Sequence, residues 1–257
     1  MAKNLFPGVS RLRTQRARKF LQRQGYLVEP LSSLLQDAPA EFTAHWDRVR
    51  PYTLTSPERG LGLYTAVEHL CRHDIPGDIV ECGVYKGGSS MLAALALLEH
   101  NPRPERMIWL YDTFSGMTEP GEHDAIAVSG QAAAERFSPG WWEAGLEEVR
   151  KAMSLTGYPE DQLKFVPGDV METLGESTPQ KIALLRLDTD WYESTRRELE
   201  ILYPLVSPGG FIIIDDYGHF TGAKKAVDEY FGKSGDGAHP YLHRLDYTGR
   251  MFRKPPL

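Results

Sequence analysis

Four aspartates in two short segments have the types and spacing for cation or proton chemistry. Asp188 and Asp190 close the run Ile182-Ala-Leu-Leu-Arg-Leu-Asp-Thr-Asp-Trp191, and Asp215 and Asp216 close Gly210-Phe-Ile-Ile-Ile-Asp-Asp-Tyr217. Each apolar run, bounded by Gly and Asp, reads as a strand buried on both faces, which implies a parallel sheet covered by helices. Ligands in open sheets of this kind sit outside the carboxyl ends of the strands. Adjacent strands would put all four carboxylates around one cleft, where their repulsion needs a cation or shared protons to offset it. Taken alone, the segments also allow a D-x-D metal motif, or two turns in which Asp190 and Asp215-Asp216 act as caps.

The elements that must position these residues follow from periodicity. Ser56 before Pro57 is an N-cap signal, and Leu61, Leu63, Ala66, Val67, Leu70 and Cys71 recur at helical spacing up to His73. Asp78–Gly83 reads as the first strand and Ser89–Leu98 as its helix. Met107–Asp112 and Leu163–Val166 read as the second and third strands. Between those two lies a long interruption with helical patches at 131–136 and 141–154. The aspartate-tipped runs supply strands four and five, joined by a helix from about Ser194 to Val206. A helix over 222–231 and a hairpin, 243–247 with 250–253, complete the chain. The pattern is one α/β domain with an antiparallel edge.

Bulk properties narrow the function classes. The chain has 257 residues, 41% hydrophobic and 25% charged, as expected of a globular protein holding one large α/β domain. A formal net charge of -6 argues against a generic nucleic-acid binder. No apolar stretch reaches the ~18–20 residues needed to span a bilayer, so no membrane association is expected. Cys71 and Cys82 are too few for a disulfide framework, which points to a reducing cytoplasm. Met1 to Val28 lacks Asp and Glu but carries Lys3, Arg11, Arg13, Arg16, Arg18, Lys19 and Arg23. Such an arm suits packing on the domain or on a second subunit, and hence a homo-oligomer; an organellar transit peptide is the other reading.

The first strand runs into Glu81-Cys-Gly-Val-Tyr-Lys-Gly-Gly-Ser89, an E-x-G-x-x-x-G loop ahead of a helix. Its glycines allow a sharp turn and close approach to a ligand, and the helix start offers free N–H groups. The loop matches neither the dinucleotide fingerprint nor the P-loop. An acidic residue before the first glycine repels phosphate and favours an ammonium group, such as that of S-adenosylmethionine. Asp112, closing strand two, suits ribose hydroxyls, and Asp169, closing strand three, suits the exocyclic amine of adenine.

With those motifs the chain resembles the class I methyltransferases, and among them the macrocin O-methyltransferase (TylF-like) family. The resemblance covers roughly residue 50 onward. It rests on Tyr52-Thr-Leu-Thr-Ser-Pro-Glu-Arg59, Val80–Ser89, Tyr111-Asp-Thr-Phe-Ser-Gly116, Leu187-Asp-Thr-Asp-Trp-Tyr192 and Ile214-Asp-Asp-Tyr217. It implies a Rossmann-like fold: a mostly parallel seven-stranded sheet with a C-terminal antiparallel hairpin and helices on both faces. It implies a basic arm and lid elements over 1–50 and a methyltransferase domain over 51–257, whose insertion at about 116–160 shapes the acceptor pocket. The expected S-adenosylmethionine pocket comprises Tyr52, Thr55, Glu81, Gly83, Tyr85, Gly87, Ser89, Ser90, Asp112, Ser115, Gly168, Asp169, Val170 and Asp188. The expected reaction is methyl transfer to a deoxysugar hydroxyl on a secondary metabolite of macrolide, aminocoumarin or enediyne type, in antibiotic biosynthesis. Mg²⁺ would sit on Asp188, Asp215 and Asp216, hard oxygen ligands that leave positions open for two neighbouring sugar oxygens. By the family pattern Asp190 is the general base.

Other readings stay open at this point. A catechol-type Mg²⁺-dependent methyltransferase shares the metal logic, and a D-x-D glycosyltransferase shares Asp188-Thr-Asp190. A non-catalytic S-adenosylmethionine sensor would need neither Asp190 nor a metal triad. His219 is a second candidate base or ligand, with solvent exposure as the plainer reading. Trp141 and Trp142 can stack on a sugar or aglycone, or pack a helix onto the sheet.

Overall fold

The computed structural model describes residues 7–26, 35–102, 104–232 and 240–255. Lys3, Val28 and Glu29 lie outside them. The chain divides into Met1–Ala38 and Pro39–Leu257. The first unit contains helix α1 (Pro7–Arg23), with Phe20, Leu21 and Tyr26 exposed. The second begins with α2 (Ala40–Val49), which buries Phe42, Trp46 and Val49. The expected division at residue 50 therefore moves to 38. Trp46 lies so close to Gly60 that a Cβ there would stand 2.4 Å from its ring, tying α2 to helix α3 (Pro57–Arg72). Helix α3 starts where the sequence indicates: the Ser56 hydroxyl accepts from Arg59 N.

Seven strands form one sheet in the order β3-β2-β1-β4-β5-β7-β6. β1 (Asp78–Cys82), β2 (Ile108–Asp112), β3 (Leu163–Pro167), β4 (Ile182–Leu187) and β5 (Val206–Ile214) pair in parallel. β7 (Arg250–Arg253) joins β5 antiparallel, and β6 (His243–Arg244) pairs outside it. The expected fold class is observed. Every residue of β4 is buried, as is α4 (Gly88–His100) from Gly88 to Leu97. A helix apolar on all sides belongs in the core. Among the described residues no helix is long and apolar enough to cross a membrane.

Local chemistry shifts several expected boundaries. Helix α7 (Tyr192–Leu202) stops before a 3-10 turn at Tyr203–Leu205, and Val206 already belongs to β5. Pro204, within that turn, has no N–H for a continuing helix. The 141–154 patch becomes α5 (Leu146–Ser154) only, because Trp141 and Trp142 form a turn in which Trp142 has φ 52°. The 131–136 patch reduces to a 3-10 turn at Ala133–Glu135. β6 ends early because Asp246 Oδ1 accepts from Thr248 N and Gly249 N, closing the hairpin turn.

The topology brings β1 and β4 side by side, with the chain continuing outward on either hand. This is the switch point where α/β sheets hold ligands. One row of backbone bonds levels the strand ends: Gly83 N to Tyr111 O, Asp188 N to Cys82 O, and Asp215 N to Leu187 O, at 2.8–2.9 Å. Gly83 has φ 82°, and a Cβ there would meet the Asp188 carbonyl oxygen at 2.1 Å. Only glycine fits so close an approach.

A chain lacking residues 1–38 should still melt cooperatively, because Phe42, Trp46 and Val49 remain in the core. Removing 1–50 strips Phe42, Trp46 and Val49 from the core and should cost several kcal/mol, on the order of 3–5 for the tryptophan alone. Denaturant melts followed by circular dichroism separate the two outcomes.

Candidate active site

The loop after β1 is shaped by Asp112. Its Oδ2 accepts from Val84 N (2.6 Å) and Tyr85 N (3.1 Å), and its Oδ1 from Phe114 N (2.7 Å). Three N–H donors leave about one of the carboxylate's four lone-pair positions for a ligand hydroxyl. Gly87, at φ 89°, then starts α4, and the Tyr52 carbonyl abuts Gly88 so closely that no Cβ would fit. The Tyr52–Thr55 segment therefore folds over the loop. At the end of β3, Asp169 caps α6 (Val170–Thr173) by accepting from Met171 N at 2.9 Å.

The acidic edge is organised by Arg186, an exception in the apolar run of β4. Its Nη1 donates to Glu81 Oε1 and to Asp188 Oδ2, each at 2.6 Å, and its Nη2 donates to Asp215 Oδ1. Arg186, Glu81 and Asp215 are all buried. From α3, Arg59 pairs with Asp215 Oδ2 and, through Nε at 3.0 Å, with Asp246. Ser90 donates to Glu81 from below. Burial pushes the Glu81 carboxyl up, opposed by Arg186 and Ser90.

Two guanidiniums do not balance this edge. Asp188, Asp215 and Asp216 each offer an oxygen within 4.8 Å of the others. At an effective dielectric of ~20, each such pair of charges repels by about 3–4 kcal/mol. Burial drives Asp188 well above the carboxylate range against the pull of Arg186, and Asp215 and Asp216 add to the rise. Burial, then Asp215, raises Asp216 as well. Asp190 is buried at φ 70°, and its carboxyl is pushed well up by burial and by Asp216, with which it shares a hydrogen bond. Asp190 is not the α7 N-cap; Trp191 occupies that position. The donor set of three clustered hard oxygens, deficient in positive charge, fits a small divalent cation such as Mg²⁺.

One cavity of about 280 Å³ joins the loop to the carboxylates. Of the predicted cofactor residues, Thr55, Glu81, Gly83, Tyr85, Ser89, Asp112, Gly168, Asp169, Val170 and Asp188 line it, together with Asp190, Asp215 and Asp216. Tyr52, Gly87, Ser90 and Ser115 do not. Tyr52 contributes backbone packing, Gly87 the turn into α4, and Ser90 its bond to Glu81, while Ser115 is exposed. His219 lines the cavity with its ring edge-on to Phe220 and Tyr247. Trp142 lines it too. Trp141 is not among the lining residues; it stacks on Trp142 at 4.7 Å and stands edge-on to Phe137.

Sequence reasoning missed Arg186, Arg59 and Asp246. For Arg186 there was a signal: an arginine inside a run that reads as doubly buried must have carboxylate partners. Arg59 and Asp246 carry no such mark, because their pairing depends on α3 and the hairpin turn meeting over the sheet edge.

Arg186→Met should cost about 3–5 kcal/mol, because it leaves Glu81, Asp188 and Asp215 uncompensated. Adding Glu81→Gln should recover part of that loss. Urea unfolding of the single and double variants measures both, and a double variant no more stable than the single would refute the charge argument.

The family model for macrocin-O-methyltransferase (TylF) matches residues 34–254. The 8-demethyl-8-(2,3-dimethoxy-alpha-L-rhamnosyl)-tetracenomycin-C 4'-O-methyltransferase of Streptomyces olivaceus is 34% identical over 241 residues, 92% of this chain and 90% of that protein. The mycinamicin III 3''-O-methyltransferase of Micromonospora griseorubida is 32% identical over 203 residues, 79% of this chain and 78% of that one. The structure of the O-methyltransferase NovP superposes with a TM-score of 0.70 at 32% identity, covering 80% of this chain and 83% of NovP.

Proposed function

Because the chain belongs to the macrocin-O-methyltransferase (TylF) family, and is thus an O-methyltransferase, we propose that it methylates a deoxysugar hydroxyl on a glycosylated secondary metabolite, using S-adenosylmethionine and Mg²⁺. The observation that carries this reading is the single cavity lined by both the Gly83 loop and the four aspartates. A methyl donor on the loop would lie beside a hydroxyl held at the carboxylates. The named activities of the Streptomyces olivaceus and Micromonospora griseorubida relatives, O-methylation in tetracenomycin and mycinamicin chemistry, support the acceptor class.

The donor site falls to Thr55, Glu81, Gly83, Tyr85, Ser89, Asp112, Gly168, Asp169 and Val170. When bound, S-adenosylmethionine supplies an electrophilic methyl group on a sulfonium. Asp112 keeps about one lone-pair position for a ribose hydroxyl, and Asp169, whose Oδ1 caps α6, lines the same cavity. Asp188, Asp215 and Asp216 would hold Mg²⁺, which when bound acidifies and orients a coordinated hydroxyl. Asp190, within the same cavity, would take the proton from the acceptor oxygen in its ionised form, which a cation held by Asp188, Asp215 and Asp216 would favour. Arg186 and Arg59 hold Asp215 from two sides, so its orientation is set before any ligand arrives.

The cavity mouth supports an acceptor with an apolar body. Leu54, Trp142 and Tyr247 line it and are 62%, 39% and 60% exposed. Such exposed apolar lining is surface on which an aglycone could rest. Cys71 and Cys82 are both free thiols, in keeping with the cytoplasmic location we propose. Exposed Phe20, Leu21 and Tyr26 on the basic arm support its use as a subunit contact in a homo-oligomer.

Asp190→Asn should bind S-adenosylhomocysteine as the wild type does and lose about 10²–10⁴-fold in kcat, the usual range for a general base. Calorimetry and single-turnover methyl transfer read the two arms, and near-normal turnover would remove Asp190 from its role. A nucleotide-sugar that binds where S-adenosylhomocysteine does not would overturn the donor assignment. Light scattering of a variant lacking residues 1–25 should show a smaller assembly than the full chain; an unchanged mass excludes the arm as the contact.

A further inference from the structure

Beneath the segment Asp188-Thr189-Asp190, helix α7 carries a carboxyl that the roles above do not use. Glu198 is 0% exposed. Its Oε1 lies 2.8 Å from Thr189 Oγ1, and its Oε2 is buried without a hydrogen-bond partner. Three groups face it: Thr189 beyond β4, the Cys82 thiol of β1, and Asp169 at the head of α6. Cys82 is itself buried, and its thiol is pushed up by burial and by Glu198, so it stays protonated.

A count of hydrogens sets the direction of these contacts. Ser194 Oγ donates to the Trp191 carbonyl at 3.1 Å. Each hydroxyl has one hydrogen to give. With Ser194 donating to Trp191 and Thr189 donating to Ser194 Oγ, 2.8 Å away, all three contacts are satisfied only if the third hydrogen comes from Glu198. Thr189 then has no hydrogen left, and its contact with Glu198 needs one from the carboxyl. An ionised Glu198 would turn the Thr189 hydrogen toward itself and break the bond to Ser194. Both hydroxyl residues line the cavity beside Asp190. Trp191 N donates to Thr189 O at 2.8 Å, closing the turn that holds Asp190 at φ 70°.

We propose that Glu198 is a positioning residue for methyl transfer: by donating a hydrogen bond to Thr189 it fixes the Thr189–Ser194 pair, and through that pair the left-handed turn that aims Asp190. This rests on Asp190 being the base. Burial, with a smaller push from Asp169, raises the Glu198 carboxyl to about 8. The donor is therefore present at neutral pH and is lost as pH rises through about 8.

Three proteins test the proposal: wild type, Glu198→Gln and Glu198→Leu. The Gln amide keeps a donor that does not ionise. It should hold kcat within about threefold and abolish the fall in wild-type kcat as pH rises through about 8. The Leu variant should lose roughly tenfold or more in kcat, with KM for S-adenosylmethionine unchanged within about twofold, because misplacement by even ~1 Å is costly at a reacting centre. A Leu variant with wild-type kcat, a Gln variant as impaired as Leu, or identical pH profiles for wild type and Gln would each overturn the proposal. Infrared difference spectra of wild type against Glu198→Gln need no turnover. They should show a protonated carboxylic acid below about pH 8 that disappears above it, and absence of that band refutes the proposal even if the acceptor assignment fails. If Glu198→Leu does not fold, the Gln profile and the infrared band still decide.

Discussion

One buried guanidinium holds the acidic edge of the sheet together. Arg186 reaches Glu81 at the end of β1, Asp188 at the end of its own strand, and Asp215 at the end of β5. Burying an unpaired guanidinium costs several kcal/mol, and three carboxylates crowded without one would repel by a comparable amount per pair. Each charge is tolerable only because the other is present. The planar fork of arginine, with its several donors, can serve three acceptors on three strands; a lysine ammonium offers a single point of charge. Arg59 adds a second cation from above, shared between Asp215 and Asp246.

The arrangement leaves a deliberate excess of negative charge. Asp188, Asp190 and Asp216 are all driven toward the protonated form by burial and by one another. Full ionisation of the cluster would bring repulsion of the order of a whole domain's net stability, so a proton or a cation must offset it. Such strained, strongly perturbed clusters are characteristic of chemistry rather than of architecture. Here the tension lies at the switch point of the sheet, against the Gly83 loop, where two ligands can meet.

Several residues serve the fold and the site at once. Asp112 shapes the loop with three backbone bonds while keeping room for about one more hydrogen bond. Asp169 caps a helix with one oxygen and faces the cavity. Asp190 sits at positive φ, in a turn closed by its neighbours Thr189 and Trp191. Such double use explains why a cap and a ligand are hard to tell apart from residue type alone: both need a short acidic side chain at a strand end.

The sequence by itself determined the strands, their alternation with helices, and the identity of the four aspartates, because doubly buried parallel strands read as unbroken apolar runs and their polar ends stand out against them. It also determined the Gly83 loop, since only glycine tolerates a positive φ with a carbonyl pressed against its α-carbon. Helix ends were less legible: Pro204 and the Trp141-Trp142 turn overrode a periodicity that continued past them. Only the tertiary structure decided the partners of the charges. Arg59, Asp246 and Glu198 come from a helix, a hairpin turn and a second helix that carry no shared local pattern, and they meet because strand order brings distant segments to one edge. Pairwise electrostatics depends on distance through space, and that distance exists only once the sheet has closed its register.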